Sequence, residues 1–209
     1  PPRSQSAVRL GEELVVEGSQ LGDPETLFRF THLLSEPLPP VELRRRPPEP
    51  DEPADQVVLR LRPLTEDPQA LVRWAPGFVA VTAVREPPGL PAVVSNAVAV
   101  AVAPTITVSP RAADGPAAPG STLTVTCAPR VQPGQKVRLL LAGQQVDPAS
   151  LTSPADPSLP TSLTFAVPEV PAGSHPVRLR VDGVDSIPVT YAGDPPLPAF
   201  DPDQQVAVP

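Results

Sequence analysis

Proline limits what this chain can become more than any other residue: 35 of the 209 positions are Pro, spread from end to end, with 12 Gly among them. A proline inside a helix removes a hydrogen bond and clashes with the preceding turn, and within a sheet it is confined to edges, bulges and strand ends. Long helices are excluded, and short strands joined by many turns are what remains. The hydrophobic content of 40% is rich in Val and Leu, which is enough to build a packed core. The expectation is therefore an all-β fold, and a chain of this length holds one large domain or two small ones.

A weak internal repeat decides for two. Gly11 to Gly18 reads GEELVVEG, with Leu14 and Val16 on one side of a strand and Glu13 and Val15 on the other. Gly120 to Arg130 reads GSTLTVTCAPR, where Leu123, Val125 and Cys127 alternate with threonines. Later in the first copy come Pro76 to Val84, PGFVAVTAV, and Ser95 to Pro104, SNAVAVAVAP; the second copy answers with Pro171 to Val181, PAGSHPVRLRV, and Asp185 to Tyr191, DSIPVTY. Asp182-Gly183 between valines favours the type I′ turn of an antiparallel hairpin. Further strands are predicted at 27–33, 41–44 and 57–62, and at 105–108, 135–142 and 162–167. Six or seven short strands per copy are what an immunoglobulin-like β-sandwich requires.

The organisation expected is two tandem Ig-like β-sandwiches, residues 1–103 and 104–193, followed by an extended Pro-rich tail, 194–209. Between the sandwiches, Ala103-Pro104 leaves almost no spacer, so the pair should behave as a semi-rigid rod. The tail reads as a solvated, polyproline-like end, with Leu197 and Phe200 as the residues that could anchor it on a neighbouring subunit.

Charge and residue usage exclude several functions. The net charge of −7 opposes a polyanionic partner, so nucleic acid is not expected. Seven aromatic residues, Phe28, Phe30, Trp74, Phe78, Phe165, Tyr191 and Phe200, are too few for a surface that stacks bases or sugars. Cys127 is the only cysteine, which rules out an internal disulfide and a cysteine zinc cluster, and His32 and His175 stand in no metal-ligand spacing. No cofactor and no metal are expected. No apolar run is long enough to span a membrane, so no direct membrane insertion is expected. Methionine is absent even at the first position, from which a processed or partial polypeptide is expected.

The remaining candidates for chemistry read as structural. Cys127 shares its strand face with Leu123 and Val125 and is expected to be a buried, inert thiol. Asp182 and Asp185 lack the further oxygens that calcium needs. Arg44 to Pro50, RRRPPEP, matches the RxxPxxP pattern read by polyproline-binding grooves, but reads better as part of a polar loop between strands. Trp74 is expected to plug the end of the first sandwich, with Phe78 buried beside it. Gly115 to Gly120 is a turn rather than a phosphate cradle. The chain is not expected to be an enzyme.

Residues Leu10 to Leu21, with 76–84 and 95–104, resemble the Ig modules called IPT/TIG, whose opening reads Gly, alternating apolar residues, Gly, then Leu. In the second module, Pro129 to Leu141, PRVQPGQKVRLLL, Leu163 to Pro168, LTFAVP, and Pro171 to Pro188, PAGSHPVRLRVDGVDSIP, resemble the C-terminal region of the tube-terminating cap proteins of bacterial contractile injection systems, phage-tail-like particles. That resemblance implies a structural part of a particle cap, assembled in the cytoplasm as a homo-hexamer, with sheath, tube and cap subunits as partners. It implies no catalytic residue. The alternative is a spacer or binding module of a cell-surface or secreted adhesin.

Overall fold

In the computed structural model of this chain, residues 7–19, 21, 23–48, 53, 55–63, 65–67 and 69–209 are described. The first module holds β1 (Glu13–Glu17), β2 (Leu27–His32), β3 (Val41–Arg44), β4 (Gln56–Arg60), a single helical turn α1 (Ala70–Arg73), β5 (Gly77–Arg85), β6 (Val93–Val94) and β7 (Val98–Val102). β1 and β4 pair as one small sheet, while β3, β2 and β5 form the other, with β6 and β7 sharing the far side of β5. Alternation in LFRFTH turns Phe28, Phe30 and His32 inward. There the two phenylalanines meet Val57, Leu59, Val79 and Val81 from both sheets. Fully burying a Phe or Leu contributes about 1.5–3 kcal/mol, so this doublet anchors the module.

The second module holds β8 (Thr105–Ser109), β9 (Thr122–Ala128), β10 (Val137–Leu141), β11 (Gln144–Val146), β12 (Ser150–Thr152), β13 (Thr161–Ala166), β14 (Gly173–Val181), β15 (Val184–Asp185), β16 (Val189–Ala192), β17 (Leu197–Phe200) and β18 (Gln205–Val208). One sheet runs β12-β13-β9-β8; the other runs β11-β10-β14, with β15 and β18 sharing the far side of β14. Leu123, Val125 and Cys127, with Phe165 beside them on β13, face Leu139, Leu141 and Leu179 of the other sheet across the core. The period-two pattern of threonines outward and apolar residues inward on β9 is thus realised. The fold is all-β, two tandem Ig-like sandwiches. At Asp182-Gly183 both residues have positive φ, +46 and +87, as a type I′ turn demands.

The internal repeat is real, but its last step falls elsewhere than the sequence suggests. In the first module, β6 pairs with the end of β5 and β7 with its beginning. In the second, β15 pairs with the end of β14 and β18 with its beginning. Each final strand also forms a parallel bridge to the entering chain, Val8 with Val102 and Pro116 with Ala207. The counterpart of β7 is therefore β18, and not the DSIPVTY segment. Two expectations are corrected by this. The second sandwich does not stop at residue 193, and 194–209 is not a solvated tail: Gln204, Val206 and Val208 are buried, and β18 closes the sheet. Burying those two valines between the sheets outweighs the extended, solvated state that the flanking prolines favour in isolation.

The joint between the modules is packed. Ala101, Ala103 and Val184 form a small apolar cluster with Ala7 and Ile187 against it. The Gln135 amide donates to Pro76 O at 2.7 Å and to Asp182 Oδ2 at 2.9 Å, while Asp182 Oδ1 accepts from the Lys136 N–H at 2.8 Å. Nearby the Arg130 N–H donates to Leu71 O at 3.3 Å. The turn that carries Gln135 comes so close that a Cβ on Gly134, whose φ is +82, would stand 2.9 Å from Ser35 Oγ. A glycine is required there on both counts.

Candidate interaction surface

The second module's last strand takes a long detour that the first module's does not. Between β6 and β7 lie only residues 95–97, whereas between β15 and β18 lie residues 186–204, and these carry the β16–β17 hairpin. β16 and β17 pair with each other, Val189 opposite Phe200 and Ala192 opposite Leu197, and with no other strand among the described residues. The hairpin is an insertion that leaves the sandwich and returns.

Its base is locked by a buried polar network. Gln204 Oε1 accepts from Ser186 Oγ at 3.1 Å, and Gln204 Nε2 donates to Ile187 O at 2.9 Å and to Asp201 Oδ2 at 3.0 Å. The Ser186 hydroxyl oxygen in turn accepts from the Leu179 N–H of β14. Asp201 Oδ1 caps the short turn 202–204 by accepting from the Asp203 N–H, and the Asp201 N–H donates to Pro188 O. Every polar atom of the Gln204 amide group has a partner, the condition under which a buried network rigidifies what it joins. The legs of the hairpin are thus clamped while its body stands clear.

On that body Leu197 is 66% exposed and Phe200 55%, and Tyr191 beside them 44%. The two residues singled out from the sequence lie together with Tyr191 on one hairpin rather than on a loose end. Tyr191 was missed because DSIPVTY reads as a strand of the sandwich itself. Val189, Thr190 and Tyr191 do form a strand, with the wrong partner for that reading.

The other candidates are accounted for by packing. Cys127 is fully buried, its Sγ lies 3.5 Å from Pro129 O, and burial pushes its thiol up to about 12. His32 sits at the end of the Phe28–Phe30 face, edge-on to Trp74 at 5.7 Å, with Nε2 accepting from the Ala75 N–H at 3.1 Å. Burial holds its imidazole down at about 4, so it is neutral in the folded module. Trp74 is buried edge-on to Phe30 as well, and closes that end of the sandwich. Phe78 is not buried with it: the alternation of β5 that turns Val79 and Val81 inward turns Phe78 outward, where its ring lies 3.9 Å from the position of a Cβ on Gly183. Asp185 answers Arg178 and Arg180 across the β14–β15 hairpin. Among the described residues no group of three or more His, Cys, Asp or Glu could hold a metal, and no helix is long and apolar enough to cross a membrane.

Arg44 to Arg46 line a polar cleft of about 660 Å³ with Arg60, Arg62 and Arg73. Arg44 pairs with Glu25, Arg60 with Glu66 and Arg73 with Asp67. Glu49 and Pro50 of the RxxPxxP match lie outside the described residues.

The chain is similar to several solved structures at low identity. SGBP-B of the Bacteroides ovatus mixed-linkage glucan utilization locus, solved in complex with a mixed-linkage heptasaccharide, is 12% identical over 100% of this chain with a TM-score of 0.29. The chain spans 45% of that protein. The fibronectin(III)-like modules of Clostridium thermocellum CbhA are 13% identical over 99% of this chain and 90% of theirs, with a TM-score of 0.24. A tandem pair of titin Ig domains is 14% identical over 96% of this chain and 89% of that one, with a TM-score of 0.25. No curated protein matches the sequence. A domain family of unknown function, DUF8756, matches residues 95–207, a span that runs from the last strand of the first module through the second sandwich, its hairpin and β18. That span is more than half of the sequence, and the chain belongs to the DUF8756 family.

Proposed function

We propose that this chain is a non-catalytic structural and interaction module that engages a neighbouring subunit through the β16–β17 hairpin, in the terminal cap of a contractile phage-tail-like particle assembled in the cytoplasm. The observation that carries the interaction role is the clamped hairpin with Leu197, Phe200 and Tyr191 directed into solvent. Apolar side chains on a hairpin clamped at its base lose less conformational freedom on docking than on a loose tail, which is how a small surface becomes an energetic anchor. The particle setting is supported by the resemblance of residues 129–188 to tube-terminating cap proteins. Its partners there would be cap, tube or sheath subunits, in a homo-hexameric ring.

The test is incorporation. In a host that makes the particles, the full-length protein carrying Leu197→Asp and Phe200→Asp should be produced and folded yet absent from sedimented particles, where the unaltered protein is present. Unchanged incorporation of the double variant would remove the hairpin's role, and absence of the unaltered protein from particles would remove the cap. A spacer role in an adhesin is the second reading, supported by the packed joint at Gln135, which ties the two modules together. A signal peptide upstream in the full gene favours that reading over the cap.

A further inference from the structure

The first module carries an apolar surface that the sandwich does not use. From Pro87 to Pro110 no residue is charged. Within that stretch β6 and β7 form the outer edge of their sheet, and the only described pairing on their outer side is the bridge from Val8 to Val102. Along this edge Leu90, Val93, Val94 and Val98 are all more than half exposed. Natural sheets guard an open edge with lysines, inward charges or a covering segment, because a bare edge pairs with other chains. Here prolines 87, 88 and 91 guard the approach to β6, and nothing charged guards β6 or β7 themselves.

The hairpin of the second module has the converse deficiency. A two-stranded ribbon is at best marginally stable in water without a third strand or a packed face. Among the described residues no third strand joins β16 and β17, and Asp194 is the only charged residue between Val189 and Phe200. Each surface offers what the other lacks: the edge wants a covering strand, and the hairpin wants a third strand and an apolar face. Both stay exposed in the single chain, so they do not cover each other there.

We infer that the β16–β17 hairpin of one copy docks on the β6–β7 edge of a second copy, adding strands to the first module's sheet. This rests on the reading of the hairpin as a partner-binding arm and names the partner as the same chain. The contact joins two different patches, so it is heterologous: it repeats from copy to copy and either closes into a ring or continues as an open chain. Main-chain pairing along the edge would set the register, with Tyr191 and Phe200 extending one face of the sheet and Leu197 the other, beside the exposed Val93, Val94 and Val98 of the edge strands.

A mixing experiment tests this directly. Sedimentation equilibrium of the chain from about 1 to about 200 μM should show mass rising with concentration. Leu197→Asp with Phe200→Asp removes the hairpin patch, and Val94→Asp with Val98→Asp removes the edge patch. Either double variant should weaken self-association at least roughly tenfold while leaving the melting temperature unchanged, since all four positions are exposed. Val93→Lys is a second edge variant should the double one lose its fold. An equimolar mixture of the hairpin and edge variants retains one intact contact per pair, and should give a species of two chains and nothing larger. A wild-type chain that stays a monomer to the top concentration overturns the inference, as does association that survives either variant or a mixture that stays monomeric. If the wild-type chain is monomeric and the hairpin variant still fails to enter particles, the self-contact falls while the proposed function stands.

Discussion

The two modules share one frame and differ in how they finish it. Each builds one sheet on a long central strand, β5 or β14, and each breaks its final strand into two pieces laid along that central strand. In the first module the break is three residues long and carries nothing. In the second it is the hairpin insertion, clamped at its base by Ser186 and Gln204. The second module also flanks its β9–β13 pair with β8 and β12, whereas among the described residues the matching β1–β4 pair of the first has no further strand. The lesson is that an exposed hairpin has been added where the sandwich already tolerated an interruption, on the module whose sheets are more complete.

The sharpest break of this comparison is to remove residues 201–209. If β18 is the true counterpart of β7, the second module loses Val206 and Val208 from its core and should fail to fold, with amide dispersion in NMR spectra surviving for the first module only. A solvated tail would leave both modules intact. Val206→Asp makes the same point without truncation, at a cost of at least about 3 kcal/mol.

Next in size are the core anchors. Trp74→Ala should destabilise the first module and Phe165→Ala the second, each by about 3–5 kcal/mol, seen in calorimetry as a fall in one transition ahead of the other. Equal movement of both transitions would mean that the packed joint makes the modules a single cooperative unit.

His32 gives the first module a pH dependence. Its neutral form is the folded one, and its imidazole is lowered from 6.5 to about 4 by burial, so the unfolded state takes up the proton first as pH falls. Stability is full above 6.5 and declines as pH drops from there toward 4, by on the order of 2–3 kcal/mol in total. His32→Gln keeps an acceptor for the Ala75 N–H and should remove most of that slope, read from urea unfolding between pH 7 and about pH 4.5. The smallest expected effect is at the joint. Gln135→Ala should cost about 1 kcal/mol and widen the distribution of inter-module angles measured by residual dipolar couplings.

Much of this was legible in the sequence because it is local. The alternation of LTVTC reports the buried face of β9 and with it the fate of Cys127, and Asp182-Gly183 reports its own turn. The alternation of PGFVAV was equally readable and placed Phe78 outside, although its nearness to Trp74 in sequence suggested otherwise. What was not legible is what distant partners decide. Val189 to Tyr191 has the better strand composition, yet QVAV takes the place beside β14 because Val206 and Val208 reach the core and the ladder to Gly173–Pro176 satisfies their backbone. Gln135 belongs to no pattern, and only the approach of Pro76 gives its amide a purpose.

The parallel bridges Val8–Val102 and Pro116–Ala207 have a mechanical consequence. In the first module the incoming and outgoing segments run side by side in the same direction, so tension on the chain slides one past the other and loads their hydrogen bonds together rather than one after another. In the first module those are the Val8 N–H to Ala101 O and the Ala103 N–H to Val8 O, both 2.9 Å. A pull on the two ends of the first module meets resistance at this short clasp, whereas in the second the β8–β9 ladder stands ahead of the bridge.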